Sequence, residues 1–214
     1  MTVGTTLLPQ QQHFDTPAQA FDASKLGIWL FLVTEILLFG GLFVVYIVFR
    51  ALYPEMFHEA SHHLNKVLGA INTVVLICSS LTMAMAVDRT RQNDSGKANQ
   101  YLLMTLFFAA CFMIIKYVEY SHKFHEGLLP GGNFTFEAIQ HPKAPLYFSL
   151  YFMMTGLHGI HVLVGMGLIS WILIRSNKGH FSSTYYTPVE LVGIYWHLVD
   201  LIWIYLFPLL YLIG

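Results

Sequence analysis

The sequence predicts an all-α fold, a multi-pass transmembrane bundle of about five helices, on three observations. Of its 214 residues 56% are hydrophobic and only 11% are charged, whereas a soluble domain carries about 25% charged residues. The charges gather in a few short stretches and leave apolar runs of about twenty residues or longer, the length a helix needs to cross a hydrocarbon core of about 30 Å. Within those runs apolar residues follow one another without alternating. That excludes a barrel and leaves the helix as the way to satisfy the backbone in lipid.

Taken in order, residues 1–24 contain no Lys or Arg and are rich in Gln, Asp and Thr. They lack the basic start and apolar core of a cleaved signal and are expected to remain as a polar tail. Residues 25–214 form the membrane domain. Its first span is expected at 26–49, ending at Arg50, and its second at 67–87, closed by Asp88 and Arg89. The third is expected at 101–120, the fourth at 146–174 after Pro145 and before Arg175, and the fifth at 189–213.

Five spans place the termini on opposite sides. With the N-terminus cytoplasmic, the inner segments hold Lys25, Arg89, Arg91, Lys97, Arg175 and Lys178, and the outer ones Arg50, Lys66, Lys123 and Lys143. The excess of cations on shorter inner loops predicts that orientation. The net charge of −1 provides no basic footprint for nucleic acid. Cys78 and Cys111 lie within apolar runs without a partner at metal-ligand spacing, so neither a disulfide framework nor a thiolate site is indicated. Gly40, Gly41, Thr155, Gly156, Gly159, Gly165 and Gly167 are small residues of the kind that lets helices approach closely in lipid. No internal repeat marks a two-halved transporter.

The ionisable residues inside the spans are the candidate site. Glu35 follows Lys25 by ten residues, about 15 Å along a helix, near mid-bilayer. A charge there costs about 3 kcal/mol, which predicts that Glu35 faces protein and carries its proton. It is read as a proton-path or interface carboxylate, or as a neutral acid hydrogen-bonded in the bundle. Lys116 and Glu119, three apart, are placed to pair on one helix face. His158 and His161, and His197 and Asp200, repeat that spacing. They suit interhelical hydrogen bonds better than a metal. No catalytic, cofactor-binding or metal-binding set is expected, because paired facing histidines, adjacent histidine ligands and clustered Cys with His and Met are all missing from the spans. His58-Glu59-Ala60-Ser61-His62 does fit H-E-x-x-H, the zinc protease pattern. It falls in a short connection after Pro54, and the candidates for a third ligand, Glu137 and His141, lie far along the chain. An intramembrane zinc protease is therefore the distant alternative.

Several stretches together resemble the cytochrome c oxidase subunit III family, in a short five-helix bacterial form. They are KLGIWLFLVTEILLFGGLF (25–43, with Glu35), GAINTVVLICSSLTMAMAV (69–87), KYVEYSHKFHEGLLPG (116–131), TGLHGIHVLVG (155–165) and YWHLVDLIWIYLFPLLYL (195–212). The last two are the most specific. The resemblance implies an accessory subunit that is not an enzyme on its own, within a proton-pumping haem–copper oxidase of aerobic respiration. Haem and copper are then expected in partner subunits I and II, with further small subunits, bound phospholipid and a bacterial inner-membrane location compatible. Full-length family members have seven spans, so a lipid cleft built with the first two is in doubt. A quinol oxidase subunit III is the alternative within the family.

Overall fold

The computed structural model describes Phe14, residues 16–129 and residues 141–212. Six helices are present among them: α1 (Pro17–Leu52), α2 (Pro54–Ser61), α3 (Lys66–Arg91), α4 (Ser95–His125), α5 (Ala144–Asn177) and α6 (Thr187–Phe207). A π-helical turn, Pro208–Leu212, follows α6. Five of the helices are long and apolar enough to cross a membrane.

Local chemistry sets the ends. The Thr16 hydroxyl caps α1 by accepting from the Gln19 N–H at 3.2 Å, with Pro17 in the first turn. The helix thus begins within the stretch expected to be a polar tail, of which residues 1–13 and 15 lie outside the described residues. Tyr53 precedes Pro54, which disfavours helical backbone at Tyr53, so α1 stops there and α2 starts afresh. Asn65 caps α3 by accepting from Val67 and Leu68 at 3.1 Å each. Asp94 caps α4 through Lys97 at 3.1 Å. Between α3 and α4, Asn93 takes the left-handed conformation (φ 59°) that a tight reversal needs. Its side chain bonds Ser183 in the α5–α6 loop in both directions.

α3, α4, α5 and α6 close into a ring in which each helix packs on two neighbours, and α1 lies outside against α5 and α6. The short α2 lies across one end, against α5, α1 and the π turn. Hydrogen bonds tie the ring across helices. Thr82 meets Thr105 at 2.8 Å, and Trp196 and Trp203 donate to Ser79 (3.0 Å) and Thr73 (3.1 Å). Gly165 makes room for a large ring of the neighbouring helix: a Cβ there would sit 2.6 Å from the Trp196 ring. Gly40, Gly41, Gly159 and Gly167 do not serve such crossings, since a Cβ at each would meet nothing within 4 Å. Gly41 and Gly167 are exposed, and Gly40 and Gly159 are half-buried.

Pro208 explains the end of α6. Proline has no N–H to donate and clashes with the preceding turn, so the α-helical ladder cannot continue through it. Just beyond it, the carbonyls of Leu209 and Leu210 accept from the hydroxyls of Tyr46 (2.8 Å) and Tyr147 (2.9 Å). Those bonds fasten α1 and α5 to the end of the chain.

Candidate functional site

Two ionic clusters stand inside the bundle, with different surroundings. The inner one is built by α4, whose residues at three- and four-residue intervals share a face. Lys116 Nζ lies 2.9 Å from Glu119 Oε2 and donates to the hydroxyls of Tyr151 and Tyr211 at 3.1 Å each. Those hydroxyls donate in turn to Glu119 Oε1, at 2.9 and 2.6 Å. The rings of Tyr120, Tyr151, Trp203 and Tyr211 surround the ammonium, with centroids 5.0–5.7 Å away, a cage that stabilises a cation through its π faces. Lys123 belongs to the same cluster, 4.0 Å from Glu119 and donating to the His63 carbonyl at 3.4 Å. Sequence reasoning placed Lys123 in an outer loop. α4 instead continues to His125 and buries this side chain, which is 3% exposed.

The outer cluster joins α1 to α5. Glu35 Oε2 lies 2.8 Å from His161 Nε2, and His161 Nδ1 lies 2.8 Å from the Leu157 carbonyl. That carbonyl can only accept, so Nδ1 carries a hydrogen. One further proton then lies between Nε2 and the carboxyl. It makes either a neutral acid facing a neutral imidazole or a carboxylate facing an imidazolium. The pair can therefore move that proton internally, or exchange one with its surroundings, without rearranging the helices. It opens onto an apolar cleft of about 350 Å³ lined by Ile28, Phe31, Val164 and Tyr195. Its helix α1 is the least covered: 11% of the residues in its most apolar stretch are buried, against 50% for the α6 span.

The remaining candidates part company. His197 Nδ1 bonds Ser80 of α3 at 2.7 Å, an interhelical bond. Asp200 lies toward the same Ser80 hydroxyl, although neither of its carboxyl oxygens meets a partner at full hydrogen-bond geometry among the described residues. His158 is fully buried, packed against Phe112 and Trp203 with ring centroids 5.6 and 5.3 Å away, and neither ring nitrogen is bonded among the described residues. Three residues along a helix set two side chains about 60° apart, close enough to share a face yet far enough to meet different neighbours. His158 therefore faces the core while His161 faces α1. The two imidazoles of the first pair thus meet different neighbours, whereas His197 and Asp200 both lie toward Ser80 of α3.

The H-E-x-x-H segment forms α2 and its C-cap rather than an irregular connection. His58, Glu59 and His62 are on its exposed side. Glu137 lies outside the described residues. His141 Nδ1 accepts from the Lys143 N–H at 3.2 Å. Among the described residues no three His, Cys, Asp or Glu side chains gather in a metal-holding group.

Tyr151, Tyr211, Trp203 and Lys123 escaped the sequence reading. Their polar ends matter through partners on other helices, and the one signal on offer was Lys116, a buried cation that needs several acceptors around it.

These features define a multi-pass membrane protein with two interhelical clusters of ionisable side chains. The sequence profile described as "Cytochrome c oxidase subunit III" matches residues 12–214, and the chain belongs to that family. It is 34% identical over 193 residues to cytochrome c oxidase subunit 3 of Synechocystis sp., covering 90% of this chain and 76% of that one. It is 32% identical over 191 residues to cytochrome c oxidase subunit 3 of Corynebacterium diphtheriae (88% and 87%). It is 29% identical over 194 residues to quinol oxidase subunit 3 of Bacillus subtilis (88% and 86%).

Proposed function

We propose that this chain is the non-catalytic third subunit of a haem–copper cytochrome c oxidase, bracing the catalytic subunit and supporting its proton uptake. In this reading it lies in a bacterial inner membrane with the N-terminus cytoplasmic. It packs against subunit I, shares the complex with subunit II, and leaves haem and copper to those partners. Higher identity to the cytochrome c oxidase relatives (34% and 32%) than to the quinol oxidase relative (29%) supports the donor. The intramembrane imidazoles are engaged within the bundle. His161 is held by Glu35 and Leu157, His197 by Ser80, and His158 is packed among rings. None of the three is aimed with another at a common point.

The observation that carries the proton role is the Glu35–His161 pair on the least covered helix. An ionisable pair beside an apolar cleft at membrane depth calls for a protein neighbour to exclude lipid from it, and the catalytic subunit is that neighbour here. Purification of the tagged chain from its own membranes is expected to bring down a larger haem-bearing subunit with its visible absorption. In that complex Glu35→Gln is expected to leave assembly and initial turnover intact and to hasten loss of activity during turnover. Purification without any haem-bearing partner refutes the subunit reading. An unchanged working lifetime in Glu35→Gln refutes the role of the carboxyl alone.

A further inference from the structure

We infer that His58 and His62 form a binding site for an exchangeable divalent transition-metal ion, Zn²⁺ or Cu²⁺, at the end of α2. The helix fixes which way these side chains point. Met56, Phe57 and Ala60 are buried on one side of it, and His58 and His62 stand one turn apart on the other, both exposed. His62 is the C-cap but keeps helical backbone (φ −65°, ψ −20°), so the one-turn spacing holds to the last residue.

The distance between the imidazoles points to a metal. Their Nε2 atoms lie 3.3 Å apart, with ring planes at 86° and centroids 4.7 Å apart. Two nitrogens each about 2.0–2.1 Å from a tetrahedral ion are separated by about 3.3 Å. Both rings thus present Nε2 at chelating separation with no movement of the backbone. Two imidazoles favour zinc, copper or nickel over magnesium or calcium. Without a third His, Cys, Asp or Glu in a group among the described residues, the other positions fall to water. His62 also borders a polar cleft of about 380 Å³ lined by His63, His122 and Glu126, which keeps that side of the ion wet. A site of two imidazoles alone holds an ion reversibly. Its consequence is structural: a clamp across the last turn of a helix of only eight residues, too short to persist alone. Binding then stabilises α2 by mass action.

The test uses the full chain in its purified complex, titrated with Zn²⁺ against a chelator and with Cu²⁺ by electron paramagnetic resonance. Wild type is expected to bind one such ion tighter than about 1 mM, with two imidazole nitrogens on the copper. His58→Gln and His62→Gln should each weaken it at least about tenfold and remove one nitrogen from the spectrum. His180→Gln, in the loop at the opposite end of the bundle, should change neither. Zn²⁺ should slow proteolysis within α2 in wild type and not in the double variant. Because the complex holds other histidines and metals, the comparison of variants decides the matter. Equal binding by wild type and the double variant, or a copper spectrum unaltered by either change, overturns the proposal, and a simple imidazole–imidazole hydrogen bond then accounts for the 3.3 Å contact.

Discussion

Glu119 and Glu35 are both carboxyls at membrane depth, each facing a nitrogen base 2.8–2.9 Å away, yet their surroundings differ. Glu119 is enclosed by two lysines and two tyrosine hydroxyls and is 3% exposed. Both of its oxygens are bonded within the core, Oε2 to Lys116 and Oε1 to Tyr151 and Tyr211, and with Lys123 it also borders a polar cleft of about 380 Å³. Glu35 has a single histidine partner on a thinly covered helix beside an open cleft. The lesson is that burial with full satisfaction makes an ion pair a fastener, whereas partial cover with one shared proton makes it available to a neighbour.

The largest expected effect breaks the fastener. Lys116→Met leaves Glu119 with Lys123 at 4.0 Å as its remaining cation. Loss of one partner of a buried pair costs about 3–5 kcal/mol, seen as a fall in thermal midpoint and in the yield of assembled complex. Next comes packing around the same core. Gly165→Ala drives a methyl into the Trp196 ring and is expected to cost about 1–3 kcal/mol. Gly167→Ala, with open space around it, should stay within about 0.5 kcal/mol. Parallel thermal melts compare the two.

The outer pair should respond differently. His161→Gln keeps a polar group near Glu35 and is expected to change stability by no more than about 1 kcal/mol, while shortening the working life of the complex as Glu35→Gln does. A large stability loss with normal lifetime would make the outer pair a second fastener and erase the contrast. The smallest effect is at the surface, far from both clusters. The Lys97 N–H bound to Asp94 lowers that carboxyl's pKa below its ordinary 3.8. A lowered folded-state pKa adds stability above the unfolded value and loses it as pH falls through the folded one. The small melting difference between wild type and Asp94→Ala should therefore be constant near neutrality and shrink below about pH 4.

Span number and order were legible because lipid forces long apolar helices whatever the partners are. The neighbouring placement of Lys116 and Glu119 was legible because i, i+3 neighbours share a face of any helix. Lys123 was not. Whether a cation near a helix end is buried depends on how far the helix continues and on what crosses it, here the loop carrying His63. The partner of Glu35 lies 126 residues away in sequence, and a single chain carries no local sign of such a meeting. Pro208 was visible, but that the carbonyls of Leu209 and Leu210 beyond it would be met by Tyr46 and Tyr147 follows only from the packing of α1 and α5 around this segment.

The contrast between a locked and an exchangeable carboxyl is tested most directly by infrared difference spectroscopy of the intact complex, recorded as pH is changed and after transfer to deuterium oxide. The account predicts a carboxyl signal that responds to both and vanishes in Glu35→Gln. A spectrum in which Glu35→Gln removes nothing that responds to pH or deuterium would contradict it.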